Sequence, residues 1–128
     1  MKKKTLLLAL VMIFTMAFSS VALASDIMPI WDNTDLCKPV LTIRNSNAYC
    51  SLDVDAAYSS YKITATVTLQ KLNSNNSYAY VTSWSGLSDN GSLHFSDSYT
   101  ISGSGSYRIK CDINVAGEAI TVYAYATK

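Results

Sequence analysis

From Lys62 to Leu72 every second side chain is apolar, with Ile63, Ala65, Val67 and Leu69 alternating with Thr64, Thr66, Thr68 and Gln70. Side chains on a β-strand alternate between two faces, so this pattern gives one greasy side and one wet side. The same period runs through Ala48–Ala56, where Ala48, Cys50, Leu52 and Val54 face Tyr49, Ser51, Asp53 and Asp55. It returns in Ser106–Val115, with Tyr107, Ile109, Cys111, Ile113 and Val115 set against Arg108, Lys110, Asp112 and Asn114. No segment of this part of the chain keeps the 3.6-residue period of a helix.

Further strands are expected at Val40–Arg44, Ser77–Ser85, Ser92–Ile101 and Ala119–Thr127. In the fourth, Tyr78, Tyr80, Thr82 and Trp84 fall on one face; in the fifth, Leu93, Phe95, Tyr99 and Ile101 point inward. Turn-forming clusters separate these runs: Asn45-Ser46-Asn47, Asn73-Ser74-Asn75-Asn76, Asp89-Asn90-Gly91, Ser102-Gly103-Ser104-Gly105 and Ala116-Gly117. Asn and Gly tolerate positive φ, and Ser and Asn side chains bond their own backbone. Seven short strands in about 100 residues predict an all-β fold, an antiparallel two-sheet sandwich of immunoglobulin-like type. A small barrel is the alternative. The sandwich spans residues 40–128, and residues 25–39, with Pro29 and Pro39, form an irregular lead-in.

The first two dozen residues are of a different kind. A basic start, Met1-Lys2-Lys3-Lys4, precedes an apolar run from Leu6 to Phe18, and Ala22 and Ala24 supply small residues before a cleavage point. That combination predicts a secretory signal peptide, 1–24, cut between Ala24 and Ser25. The run is shorter than the roughly 20 residues a membrane helix needs. Its loss removes three lysines, leaving seven basic side chains against nine acidic ones. A basic grip on nucleic acid is therefore not expected, nor a membrane span in the mature chain.

Cys37, Cys50 and Cys111 all lie in the part expected to be exported, where disulfides form. Three thiols allow three single bridges, and spacing does not choose among them. Strand parity favours Cys50–Cys111, both on apolar faces of strands that lie in opposite sheets of such a sandwich. That bridge would close a loop of about 60 residues and contribute about 4 kcal/mol. The alternative is a pair of buried free thiols. Cys37 is the odd one and is expected to be free.

Catalytic chemistry finds little purchase. His94 is the sole histidine; Ser92 and Ser96 flank it on one strand face and Asp97 is nearby, but no nucleophile-elbow pattern accompanies them. A solvent-facing histidine is expected. No closely paired Cys/His ligands suggest zinc. Asp32, Asp35, Asp53 and Asp55 lack the spacing of a calcium loop. No cofactor, metal or catalytic residue is predicted. The aromatic residues carry more promise. Tyr78, Tyr80, Trp84, Tyr123 and Tyr125 offer rigid contact area with polar handles, suited to sugar rings or a protein partner. If the fourth and last strands share a sheet, these rings flank Thr64, Thr66, Arg108 and Lys110. Core or edge packing is the plainer reading of the same residues.

Several stretches occur together: Asp26-Ile27-Met28-Pro29, Leu69-Gln70-Lys71, Ser83-Trp84-Ser85, and Ser98-Tyr99-Thr100 followed by Gly105-Ser106-Tyr107-Arg108-Ile109-Lys110. In this the chain resembles a family of small secreted β-sandwich proteins, a domain of unknown function, from Gram-positive anaerobic bacteria. The resemblance implies secretion and a sandwich fold, and transfers no site. The expected role is a secreted, non-enzymatic protein that interacts with an extracellular protein or glycan. Two alternatives are a glycan or cell-wall binding module using the tyrosine-rich face, and a small bacteriocin-like antagonist.

Overall fold

The alternating segments become strands in a computed structural model that describes residues 30–128. The expected signal peptide and its cleavage point lie outside the described residues. Seven strands follow one another: β1 (Thr34–Arg44), β2 (Asn47–Ala56), β3 (Lys62–Leu72), β4 (Tyr78–Asn90), β5 (Ser92–Thr100), β6 (Ser106–Val115) and β7 (Glu118–Thr127). They form two antiparallel sheets, one ordered β1-β2-β5 and the other β4-β3-β6-β7. The described residues contain no helix.

The core lies between the sheets and is filled by the period-two residues. Leu52 and Val54 from β2, Ile63, Val67 and Leu69 from β3, and Ile109 and Val115 from β6 are fully buried. Each such side chain contributes about 1.5–3 kcal/mol by leaving water. Tyr107 is buried with them; its hydroxyl donates to the carbonyls of Ser102 and Gly103, at 3.0 and 3.1 Å, tying the β5–β6 loop to the base of β6.

Three features depart from the sequence reading. First, β1 begins at Thr34, inside the stretch expected to be irregular. Pro39 sits within it, a position tolerated because β1 is an edge strand, where a missing N–H breaks no interior ladder. Second, the β3–β4 pairing shifts register twice, between Ala65 and Val67 and between Leu69 and Gln70. Leu69 pairs with Thr82 and Gln70 with Tyr80, leaving Val81 as an extra residue. A bulge of this kind reverses which face later side chains occupy. Third, Tyr99 lies on the inner face opposite the buried Ala48 yet is 40% exposed. It sits at the open end of the sandwich, lining a cavity of about 280 Å³ with Lys71, Val81 and Tyr107.

The amino-terminal edge is held by the chain's sole glutamate. Glu118, at the start of β7, accepts hydrogen bonds from Asp32 N (2.7 Å), Asn33 N (3.2 Å) and Thr34 Oγ1 (3.0 Å). Desolvation pushes its carboxyl pKa up, but the three hydrogen bonds together outweigh that and lower it. A carboxyl with a lowered pKa adds stability above its ordinary range, and loses it as pH falls through the folded value.

Two tight turns depend on left-handed backbone. Gly91, between β4 and β5, has φ of 77°, and a Cβ there would lie 3.0 Å from the Cα and carbonyl oxygen of Ser59. The β6–β7 turn places Ala116 at φ 48° and Gly117 at φ 93°, where a type I′ hairpin favours Asn-Gly. Two substitutions should therefore move stability in opposite directions. Gly91→Ala is expected to cost about 1–3 kcal/mol by crowding and strain, while Ala116→Asn should gain about 0.5 kcal/mol. Urea midpoints of the two variants check both signs.

Candidate functional site

The four-stranded sheet brings the tyrosines of its two edge strands to one outer surface. β4 and β7 are the outermost strands, with β3 and β6 between them. Tyr80 pairs with Gln70, Gln70 with Arg108, and Arg108 with Tyr125, so these four residues form one row across the sheet. The next row runs Ser83, Thr68, Lys110, Tyr123. Tyr80 and Tyr125 are 67% and 61% exposed, and Tyr78 is half-buried. Tyr123 and Tyr125 stack with ring centres 6.3 Å apart.

Arg108 organises this surface. Its guanidinium carbon lies 3.8 Å from the Tyr78 ring centre and 4.6 Å from that of Tyr123. Its Nε donates to Gln70 Oε1 at 2.7 Å. Cation–π attraction and this hydrogen bond hold an otherwise floppy side chain in place. Further along the same sheet, Thr64, Thr66, Asp112, Asn114 and Thr121 line an open concavity of about 430 Å³.

Trp84 does not belong to this surface. The bulge at Val81 turns it to the inner side, where it pairs with Val67 and packs against Phe95 of the other sheet, ring centres 5.3 Å apart. Of the five aromatic residues singled out in the sequence, the sheet gathers Tyr78, Tyr80, Tyr123 and Tyr125, and Trp84 packs at the rim of the core. Arg108 and Lys110 were visible as outward residues of a strand. The clasp of Arg108 by Tyr78 and Gln70 was not, because it depends on which strands are neighbours.

The three-stranded sheet holds the histidine. His94 Nδ1 lies 2.8 Å from Asp53 Oδ1, its directly opposite partner on β2. Asp97, close in sequence, instead accepts from the Ser98 backbone N–H. Ser92 Oγ donates to Asp55 at 2.7 Å. The hydrogen bond that His94 donates to Asp53, helped by the negative charge of Asp53, Asp55 and Asp89, raises the His94 pKa against a smaller opposing desolvation. The His94 side chain is 68% exposed and that of Asp53 45%. A raised imidazole pKa favours the fold below about pH 6.5, and the gain fades as pH climbs through the folded value. Proton NMR titration should find the His94 midpoint above that of a free histidine, and Asp53→Asn should bring it back down.

All three cysteines are free thiols, so the expected Cys50–Cys111 bridge is not formed. Both are buried on facing sheets, as parity required. Parity sets two cysteines on facing sheets, but it does not fix the Cα separation below about 7 Å and the Cβ orientation that a disulfide also needs. Desolvation pushes Cys37 to about 11, and Cys50 and Cys111 to about 12. They pack as small hydrophobes with almost no thiolate. Iodoacetamide at pH 8 should leave the folded protein unlabelled within minutes, and denaturation without reductant should expose three alkylation sites by mass spectrometry.

Among the described residues no three His, Cys, Asp or Glu side chains converge as a metal cage, and no helix is long and apolar enough to cross a membrane. No family model and no curated protein matches the sequence. Ten chains of solved structures match. One is the alkylpurine DNA glycosylase of Pseudomonas fluorescens bound to DNA containing an abasic-site analog. It is 12% identical, with a TM-score of 0.40, over 69% of this chain and 29% of the glycosylase chain. This chain thus spans less than a third of that enzyme, and likeness at that level carries no functional argument.

Proposed function

We propose that the chain is an exported, non-enzymatic β-sandwich protein that acts by binding outside the cell, and that its binding surface is the outer face of the β4-β3-β6-β7 sheet. The partner class that suits this surface is a glycan. One observation carries the reading: Tyr78, Tyr80, Tyr123 and Tyr125 gather around Arg108 on a single sheet face, with Tyr80 and Tyr125 largely exposed. Tyrosines used for packing bury their rings; these leave them open, where they present flat apolar area with a hydroxyl at the tip. The hydroxyl and amide groups of Thr64, Thr66 and Asn114 in the adjoining concavity add hydrogen-bonding capacity for a polyhydroxylated ligand.

Export is supported by the basic, apolar and small-residue pattern of residues 1–24. The non-enzymatic reading is supported by the setting of His94, which is exposed and engaged by Asp53. We further infer an immunoglobulin-like arrangement. Support comes from the sheet orders β1-β2-β5 and β4-β3-β6-β7, and from Tyr107, whose hydroxyl reaches back to backbone carbonyls four and five residues upstream at the start of the sixth strand.

Tyr80→Ser and Tyr125→Ser together should abolish binding on a glycan array while leaving the melting temperature within about 2 °C of the parent, since exposed substitutions seldom move stability by more than about 0.5 kcal/mol. An unchanged array profile, or the absence of any glycan signal from the parent protein, overturns the reading. Intact mass of the protein recovered from culture medium, starting at Ser25, tests export separately.

A further inference from the structure

Arg108 is fixed at its base and unclaimed at its tip. Two tyrosine rings bracket the guanidinium and Gln70 takes its Nε–H. Among the described residues it has no carboxylate partner; the one ion pair there joins His94 and Asp53 on the other sheet. Its cross-strand neighbours are Gln70 and Tyr125, neither of them acidic. Lys110, the next outward residue on β6, adds a second positive charge opposite Tyr123. Negative charge reappears along this strand at Asp112, which accepts a hydrogen bond from Thr121 at 3.0 Å.

A half-buried arginine on a sheet ordinarily finds an acid beside it. Here the chain supplies none and instead immobilises the side chain with aromatic faces. The two terminal nitrogens of a guanidinium form a planar fork that matches a carboxylate, and a fork held in advance loses little freedom when it binds. We propose that Arg108 anchors the carboxylate of an acidic sugar, so that the ligand is an anionic glycan of uronic-acid type. This rests on the binding face described under Proposed function and names its ligand chemistry.

A sugar fits better than an acidic peptide for a structural reason. β3 and β6 are paired on both sides, so their backbone groups are already committed and the face reads a ligand through side chains alone. Extended peptides gain affinity from main-chain bonds at a sheet edge. The exposed rings of Tyr80 and Tyr125 stand at either end of the Arg108 row, placed to stack on neighbouring pyranose rings while the carboxylate meets the fork.

Affinity electrophoresis of the purified protein decides this, using three gels: polygalacturonate, the same polymer with its carboxylates reduced to alcohols, and polyglutamate. The parent should be retarded by polygalacturonate far more than by the other two. Arg108→Gln should weaken that retardation at least tenfold, and Arg108→Lys, which keeps the charge but loses the fork, should weaken it nearly as much. Lys38→Gln, removing an exposed charge on the other sheet, should change nothing. Should Arg108→Gln fail to fold, the Arg108 Nε–H resonance of the parent must shift on titration with galacturonate; an unmoved resonance overturns the proposal. Equal retardation by polyglutamate overturns the sugar in favour of an acidic peptide. Equal retardation by the reduced polymer, insensitive to Arg108, overturns the carboxylate anchor while the glycan-binding reading stands. No retardation by either sugar polymer defeats both.

Discussion

The antiparallel pairing of β3 with β6 is the element on which both sides of the four-stranded sheet depend. Its register sets Leu69 opposite Ile109 and Val67 opposite Cys111 on the inner face, and by the same alternation sets Gln70 opposite Arg108 on the outer one. A slip of one residue would turn every one of these side chains over. It would drive Arg108 and Lys110 into the core and lift Ile109 and Cys111 into water. The desolvation cost of buried unpaired charge makes that register unavailable. Core packing and the placement of the candidate surface residues therefore share a single origin, the β3–β6 register.

Edge placement then decides which groups are free to act. β4 and β7 bound the sheet, and both bring tyrosines to its outer side. On β4 this requires the bulge at Val81, which lets Tyr80 face outward while Thr82 and Trp84 face inward within one strand. The same irregularity gives a Ser-rich edge strand with broken register, a poor template for pairing with another chain. One local distortion thus serves both the aromatic surface and the protection of an open edge.

Strand identity was legible wherever burial is one-sided and regular. The bounds of β3 and β6 and all nine of their inward side chains follow from alternation alone, because a half-buried strand must alternate. Alternation says nothing of what lies beside a strand. The His94–Asp53 contact, the Glu118 clamp and the Arg108 clasp all join residues 30 or more positions apart, except where β7 follows β6 directly. Their geometry is set by sheet order and register, which no local pattern encodes. The Val81 bulge was hidden for another reason: Tyr78 to Ser85 alternates well enough on paper, and the extra residue shows itself only against its partner strand. Pro39 misled in the opposite sense, since proline argues against a strand unless that strand is known to be an edge.

The state of the three sulfurs has a consequence for the durability of the domain. With none of them in a covalent link, reductants have nothing to cut and oxidants no existing cross-link to rearrange. Cohesion comes from the dry contact between two sheets, from their backbone ladders and from side-chain hydrogen bonds such as those of Glu118 and Tyr107, none of which a reductant can cut. A reducing medium therefore finds no bond in this architecture to break, an independence that a bridged sandwich does not have.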